Sequence, residues 1–333
     1  MKSYLKILFE GKSLSFSESK EIMDLILSDD EINNESISAF LGALNLKNIT
    51  SEELAGFAFS IRNKGLKINP SSDLVMDICG TGGDGKGTFN ISTASSFVIS
   101  GAGIPIAKHG NRSISSRCGS NDVLEALGIK IDLEPSKIEK NINEKGLGFL
   151  SAPLFHPTLK KVAPIRKAIG LRTIFNLLGP LCNPAGVKRQ VMGIYDYKLA
   201  NLVTETLKYL GSQEVMIIAS EDGQDEISLS GKNFISHLKD GNIYNLVLNP
   251  EDFGLPQYDI DSVKGGDSSE NAIIIERVLQ GEKGAYRDSV IANSSLAILI
   301  SNKVKDLKEA VLLSQEAIDS GRAYKKLQEM REI

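Results

Sequence analysis

Residues 80–93 read GTGGDGKGTFNIST, with five glycines in the first eight positions and a hydroxyl or amide at four of the last six. Such a run removes side chains where backbone N–H groups must approach an anion, then opens a helix whose amino end favours negative charge. Gly80, Gly82 and Gly85 satisfy GxGxxG, but the next strand ends in basic Lys108-His109, where a dinucleotide fold wants an acidic residue for the ribose. Gly80, Gly85 and Lys86 begin a P-loop pattern, which then needs Ser or Thr for magnesium and has Gly87. Both readings fail at the residue that carries the chemistry, and a plain tight turn needs one glycine rather than five.

A second polar loop has the opposite charge character. IAKHGNRSISSRCGSNDVLEALG puts Lys108, His109, Arg112 and Arg117 within ten residues, interleaved with Ser113, Ser115, Ser116 and Ser120. Asp122 and Glu125 are spaced as a cap for the helix that follows. The bland alternative is a solvated basic loop. It loses ground because both loops follow strands at their C-terminal ends, where open α/β sheets bind ligands. Two anion-suited loops on one edge imply a ligand with phosphate at two places. Downstream, EDGQDEISL sets Asp225 and Glu226 side by side in a loop after a strand. Adjacent carboxylates of this kind fit solvated charge as well as metal ligation, and the residues alone leave both open. Three histidines and cysteines without CxxC spacing argue against zinc.

The elements that must position these loops follow a simple pattern. The first 66 residues read as helices, with Ser15/Glu18 and Thr50/Glu53 spaced as capping boxes. From Leu74, short apolar runs alternate with helices: LVMDIC, IPIAK, IKIDL, QVMGIY and EVMIIAS as strands, with ASSFVISGAG, SNDVLEALG, PSKIEKNINEKG and YKLANLVTETLKYLG between them. The expected fold is α/β: a small N-terminal α-helical domain (1–66) plus a large α/β domain (67–333) with a mostly parallel central sheet. Residues 67–73 read as the hinge. A helical stretch at about 157–180 interrupts the alternation and is expected to rejoin the N-terminal helices. The tail from Asn271 returns to helix.

Composition supports a globular chain: 333 residues, 41% apolar, 24% charged and a net charge of −4, which disfavours a general nucleic-acid or anionic-membrane binder. Cys79, Cys118 and Cys182 fit free thiols in a reducing cytoplasm. The N-terminus offers no signal-peptide h-region. The uncharged run 87–107 holds six hydroxyls, an asparagine and a proline, so it is no membrane span.

The segments GTGGDGKGTFNIST, KHGNRSISS, GSNDVLEALG, RTIFNLLGPLCNP and DGQDEIS resemble, in order, the signatures of the anthranilate phosphoribosyltransferase family, over essentially the whole chain. Pyrimidine-nucleoside phosphorylases are similar in fold but lack the KHGNR run. The resemblance implies a magnesium-dependent homodimer with its active site between a helical and an α/β domain. The implied reaction joins the amine of anthranilate to C1 of phosphoribosyl pyrophosphate, releasing pyrophosphate, the second step of tryptophan synthesis from chorismate.

By the same resemblance, the phosphoribosyl pyrophosphate contacts are Gly80, Gly83, Asp84, Thr88, Asn90, Ile91, Ser92 and Thr93, then Lys108, His109, Gly110, Asn111, Arg112, Ser113, Ile114, Ser115 and Ser116, and Ser120. Ser92, Asp225 and Glu226 are implied magnesium ligands, and Gly80, Asn111 and Arg166 the anthranilate contacts. His109 and His156-Pro157 are implied walls of the aromatic slot, although His156 fits equally a structural histidine at a helix start. Arg172 either assists or pairs with a carboxylate. No acid or base is assigned, since an arylamine is already unprotonated near neutral pH. SRCGSND stands where relatives often read SKSGSAD, so Arg117, Cys118 and Asn121 depart from the pattern. Two rival functions remain: a same-fold nucleoside phosphorylase and a non-catalytic nucleic-acid-binding relative.

Overall fold

A computed structural model describes residues 1–28, 32–113 and 117–333. Four helices open the chain: α1 (Lys2–Phe9), α2 (Phe16–Ser28), α3 (Asn34–Lys47) and α4 (Ser51–Lys64). The capping boxes start α2 and α4 as their spacing predicts. Ser15 N–H donates to Glu18 at 2.8 Å, and Thr50 and Glu53 cap each other reciprocally. Glu53 is fully buried but also takes Lys47 at 2.7 Å and the Leu14 N–H at 2.9 Å, so its charge is not stranded.

Among the described residues, seven strands form one sheet in the order β3-β2-β1-β4-β5-β6-β7. They are β1 (Met76–Gly80), β2 (Ile106–Gly110), β3 (Leu147–Ser151), β4 (Arg189–Gly193), β5 (Glu214–Ser220), β6 (Asn233–Lys239) and β7 (Asn242–Leu248). Strands β1 to β5 pair in parallel, and β6 and β7 add antiparallel. Alternate residues serve opposite faces. Met76, Ile78, Met216 and Ile218 join one core, with helices from the C-terminal half. Cys79, Met192, Ile217 and Ala219 join another with the N-terminal helices. That second core also takes in Val162, Ile165, Phe175 and Leu178, so the segment around 157–180 packs with Phe40, Phe57 and Ile61 of α3 and α4.

Two strand readings need correction. IKIDL is not a strand; Ile129 and Ile131 are buried as an extended link between helices. The third parallel strand is instead LGFLS, β3, whose Gly148 sits where a Cβ would strike Ile142 of the covering helix. A glycine in so short a run masks the apolar pattern. The hairpin β6–β7 was also not anticipated, since β7 has half-exposed alternation and Asn at two positions.

Candidate functional site

The order of strands makes β1 the switch point: the chain leaves β1 for β2 on one side and returns through β4 on the other. Ligands of open α/β sheets bind beyond the carboxyl ends of the strands at such a crevice. Here β1 and β4 end in register on two glycines, Gly80 and Gly193. Neither end could carry a side chain. A Cβ on Gly193 would overlap the carbonyl of Asp225, and one on Gly80 would lie 2.9 Å from the Asp225 carboxyl carbon. The two glycines are a bare floor on which the Asp225 peptide rests. Gly193 is a site residue that sequence reasoning missed, because QVMGIY reads as an ordinary strand.

Beyond β1, Gly82, Gly83, Gly85 and Gly87 all take positive φ between 66 and 74°, which answers why this loop is so rich in glycine. Gly82 N–H donates to Asp225 at 2.6 Å, and Lys86 N–H to Asp84 at 3.0 Å. Residues 87–89 pair with a segment not singled out from the sequence. Gly265 N–H donates to the Gly87 carbonyl and Phe89 N–H to that of Val263, with Thr88 bridged to Lys264. Asn90 then stands at the N-cap position of helix α5 (Ile91–Gly101), its side chain making no capping bond, and Ile91, Ser92 and Thr93 form the first turn.

The carboxylate pair closes onto this helix start. Ser92 N–H donates to Glu226 at 3.1 Å, and the Lys108 ammonium, buried on β2, donates to Ser92 Oγ at 3.1 Å and to the Ile78 carbonyl at 2.7 Å. Ser92, Lys108, Asp225 and Glu226, distant in sequence, are thus one cluster. Burial and then the Asp225 charge push Glu226 up to about 8, against the pull of Lys108. Burial and the nearby Asp84 carboxylate likewise raise Asp225. Asp84 Oδ2 is itself buried with no donor among the described residues.

Crowding and desolvation of these carboxylate oxygens disfavour their charge, and a cation set among them would relieve that cost. Among the described residues no group of three His, Cys, Asp or Glu forms a closed metal cage. The donor set of two carboxylates and a hydroxyl fits an ion that keeps waters and bridges phosphates, which is magnesium's habit.

The loop bearing Asp225 and Glu226 is held by three further polar side chains. Asp222 accepts from Ser220, Ser228, Ser230 and Gln224 at 2.5–2.8 Å. Burial alone would raise Asp222, but these hydrogen bonds bring it down to about 2. Asn293 clamps Ile227 through both its N–H and its carbonyl, and Asn233 does the same to Ser228. A lone Asn in a helix or strand pattern gave no signal for this role.

The basic loop follows β2. Gly110 approaches Ser120, whose hydroxyl bonds the Asn111 backbone at 3.1 Å, at the start of helix α6 (Ser120–Ala126). Asp122 caps this helix, accepting from Gly119 N–H at 2.9 Å and Ser113 N–H at 3.0 Å. Arg112 is bidentate to Glu125 at 2.6 Å and reaches Asp122 at 3.2 Å. Glu125 is thus Arg112's partner rather than part of a cap. Ile114, Ser115 and Ser116 lie outside the described residues.

His109 and His156 meet edge to face, 5.2 Å between centroids, although their loops lie far apart in sequence. Burial, then His156, drives His109 down to about 3, so its ring is neutral. His156 bonds the Cys182 carbonyl at 2.8 Å. Arg166 is half-buried, stands over Phe175 at 5.6 Å and has no ion pair among the described residues. Among the described residues Arg172 has no carboxylate partner either. It bonds the Gly83 carbonyl and stacks 4.0 Å over Tyr195, tying the 170s segment to the glycine loop. A groove of about 320 Å³ lies elsewhere, lined by Tyr197, Phe234, Asn201 and Leu246 on the far edge of the sheet. It carries no ionisable cluster, so chemistry rather than volume locates the site.

Comparison with known proteins shows similarity along nearly the whole chain. Residues 72–324 match the α/β domain of a glycosyl transferase family, and residues 2–65 match its helical bundle domain. The anthranilate phosphoribosyltransferase of Petrotoga mobilis is 46% identical over 99% of this chain and 96% of its own length. That of Symbiobacterium thermophilum is 45% identical over 100% and 97%. The crystal structure of the Thermus thermophilus enzyme superposes with a TM-score of 0.93 at 37% identity, covering 98% of both chains. The Saccharomyces cerevisiae enzyme, solved in complex with phosphoribosyl pyrophosphate and magnesium, does so with 0.90 at 30% identity, covering 99% and 96%.

Proposed function

The chain belongs to the anthranilate phosphoribosyltransferase family, and from that membership we propose how its cleft works. The enzyme, a pentosyltransferase of tryptophan biosynthesis, transfers the phosphoribosyl group of phosphoribosyl pyrophosphate to the amine of anthranilate. The C1–N bond forms as the C1–O bond to pyrophosphate breaks, through an oxocarbenium-like centre. The protein's work is to hold the amine in line and to receive negative charge on the leaving group.

The reading rests above all on the convergence of Asp225 and Glu226 with Ser92 and Lys108 beside the bare Gly80–Gly193 floor. Asp225, Glu226 and Ser92 would hold magnesium, which when bound supplies charge neutralisation for the pyrophosphate. The glycine-loop N–H groups, Asp84, Thr88 and the residues 90–93 line the pyrophosphate end. Lys108 holds Ser92 and opposes the carboxylate charge. Asn111, Arg112, Ser113, Ser120 and the segment 114–116 receive the remaining phosphate. Arg166, a guanidinium without a carboxylate of its own, suits that of anthranilate, with Asn111, His109 and His156 around the ring.

Phe9, Leu46 and Leu66, exposed at 68%, 87% and 46% on or next to the helical domain, suit a homodimer contact there. No helix among the described residues is long and apolar enough to cross a membrane, and a cytoplasmic setting suits three cysteines that form no disulfide among the described residues. Loss of anthranilate fluorescence should require protein, phosphoribosyl pyrophosphate and magnesium together, and should collapse in the double variant Asp225→Ala, Glu226→Ala. A folded protein that consumes no anthranilate, but phosphorolyses uridine or binds DNA with strong salt dependence, overturns the reading.

A further inference from the structure

Asn90, set by the proposed function against the pyrophosphate, has its side-chain amide oriented from both ends. At one end Gly266 N–H donates to Asn271 Oδ1 at 2.8 Å. A backbone N–H only donates, so the oxygen of Asn271 faces Gly266 and its Nδ2 faces away. That Nδ2 lies 3.0 Å from Asn90 Oδ1, which receives its proton. At the other end Asn90 Nδ2 lies 3.4 Å from the carbonyl of Cys118, which only accepts. The chain from Gly266 through Asn271 and Asn90 to Cys118 therefore admits a single orientation of both amides. It also joins three segments: the strap at 263–266 behind the glycine loop, the helix start at Asn90 and the basic loop.

Asn271 is built in rather than incidental. It is 2% exposed on the helix Ser268–Leu279, and a Cβ on Gly265 would lie 2.5 Å from its oxygen. We propose that Asn271 is a positioning residue for phosphoribosyl pyrophosphate, orienting Asn90 to present the remaining N–H of its Nδ2 and not its carbonyl to the anion. Turned over, the Asn90 amide would set an oxygen lone pair against phosphate oxygen, replacing attraction by repulsion. The proposal rests on the reading of the site given above.

Calorimetric titration of phosphoribosyl pyrophosphate with magnesium into the wild type, Asn271→Asp, Asn271→Ala and Asn90→Ala, with thermal melts of each, tests it. Aspartate keeps the acceptor facing Gly266 but replaces the donor facing Asn90 with a charged acceptor, which drives Asn90 to turn over at the expense of its longer bond to the Cys118 carbonyl. Asn271→Asp should weaken binding about tenfold or more, the scale of one hydrogen bond to a charged group. Asn271→Ala should weaken it less at a similar melting temperature, and in an Asn90→Ala background neither change should add further loss. Turnover at saturating substrate should fall less than affinity.

Unchanged affinity in Asn271→Asp, or losses that simply track melting temperature and persist without Asn90, overturns the proposal. Should Asn271→Asp fail to fold, the Asn90→Ala and Asn271→Ala double-mutant cycle decides, and zero coupling refutes it. A wild type that binds no phosphoribosyl pyrophosphate refutes the proposed function instead.

Discussion

Gly193→Ala should dismantle the carboxylate site without altering any charged residue. An added Cβ would overlap the Asp225 carbonyl and stand 3.0 Å from its Cα. Strand β4 cannot yield, because it is hydrogen-bonded between β1 and β5 and its Gly193 carbonyl also receives Thr81 N–H at 3.0 Å. The Asp225 peptide must therefore retreat, by on the order of 1–2 Å to reach ordinary carbon–oxygen contact. Metal sites tolerate about 0.2 Å in ligand distance, so a retreat of this size would take Asp225 out of the magnesium site proposed above. It also breaks the hydrogen bond from Gly82, a charge-assisted contact of about 1.5–3 kcal/mol. Overpacking adds about 1–3 kcal/mol of destabilisation.

The variant should melt several degrees lower, at about 1–2 °C per kcal/mol for a chain this long, and bind phosphoribosyl pyrophosphate with magnesium about a hundredfold more weakly. Calorimetric titration beside a thermal melt measures both. Binding within about twofold of wild type would refute the argument that the Asp225 peptide needs a side-chain-free floor.

Other expectations follow from the charges. His109 is held neutral near pKa 3, below an unfolded value near 6.5, so the unfolded chain takes up a proton first as pH falls. Its contribution is complete above pH 6.5 and erodes toward pH 3, costing about 3 kcal/mol near pH 4.5, and His109→Asn should flatten that part of the acid melting profile. Asp222, held down to about 2, stabilises above its usual value near 4 and loses this as pH falls toward 2. Asp222→Asn should melt lower at pH 7, by about 1 kcal/mol after allowance for partial exposure, with the gap to wild type closing between pH 4 and 2. Glu125→Ala breaks an exposed pair and should change the melting temperature by the equivalent of less than about 1 kcal/mol. By releasing Arg112 from Glu125, with its 3.2 Å contact to Asp122 left in place, it should tighten phosphoribosyl pyrophosphate binding a few-fold; weaker binding would show that Arg112 works only when braced by Glu125.

The sequence by itself determined what is written in local signals. Capping boxes at Ser15/Glu18 and Thr50/Glu53, apolar runs at β1, β2, β4 and β5, and the unusual glycine loop are all set by neighbouring residues. Asp225-Glu226, the KHGNR run and the helix start at Ser92 stand out by residue type, although the carboxylate pair by itself fits solvated charge equally well and only the folded chain brings it against Ser92. Strand β3 was not, because Gly148 owes its place to Ile138 and Ile142 of a covering helix rather than to its own strand.

Only the tertiary structure decided which glycine carries Asp225, which amides hold its loop, and which carboxylate Arg112 meets before any ligand arrives. Gly193, Asn233, Asn271 and Asn293 look ordinary in sequence because their roles are contacts with segments that follow no local pattern. Close approach of two backbones and the orientation of a buried amide are properties of pairs of distant residues. Folding creates those pairs, and no single residue type announces them.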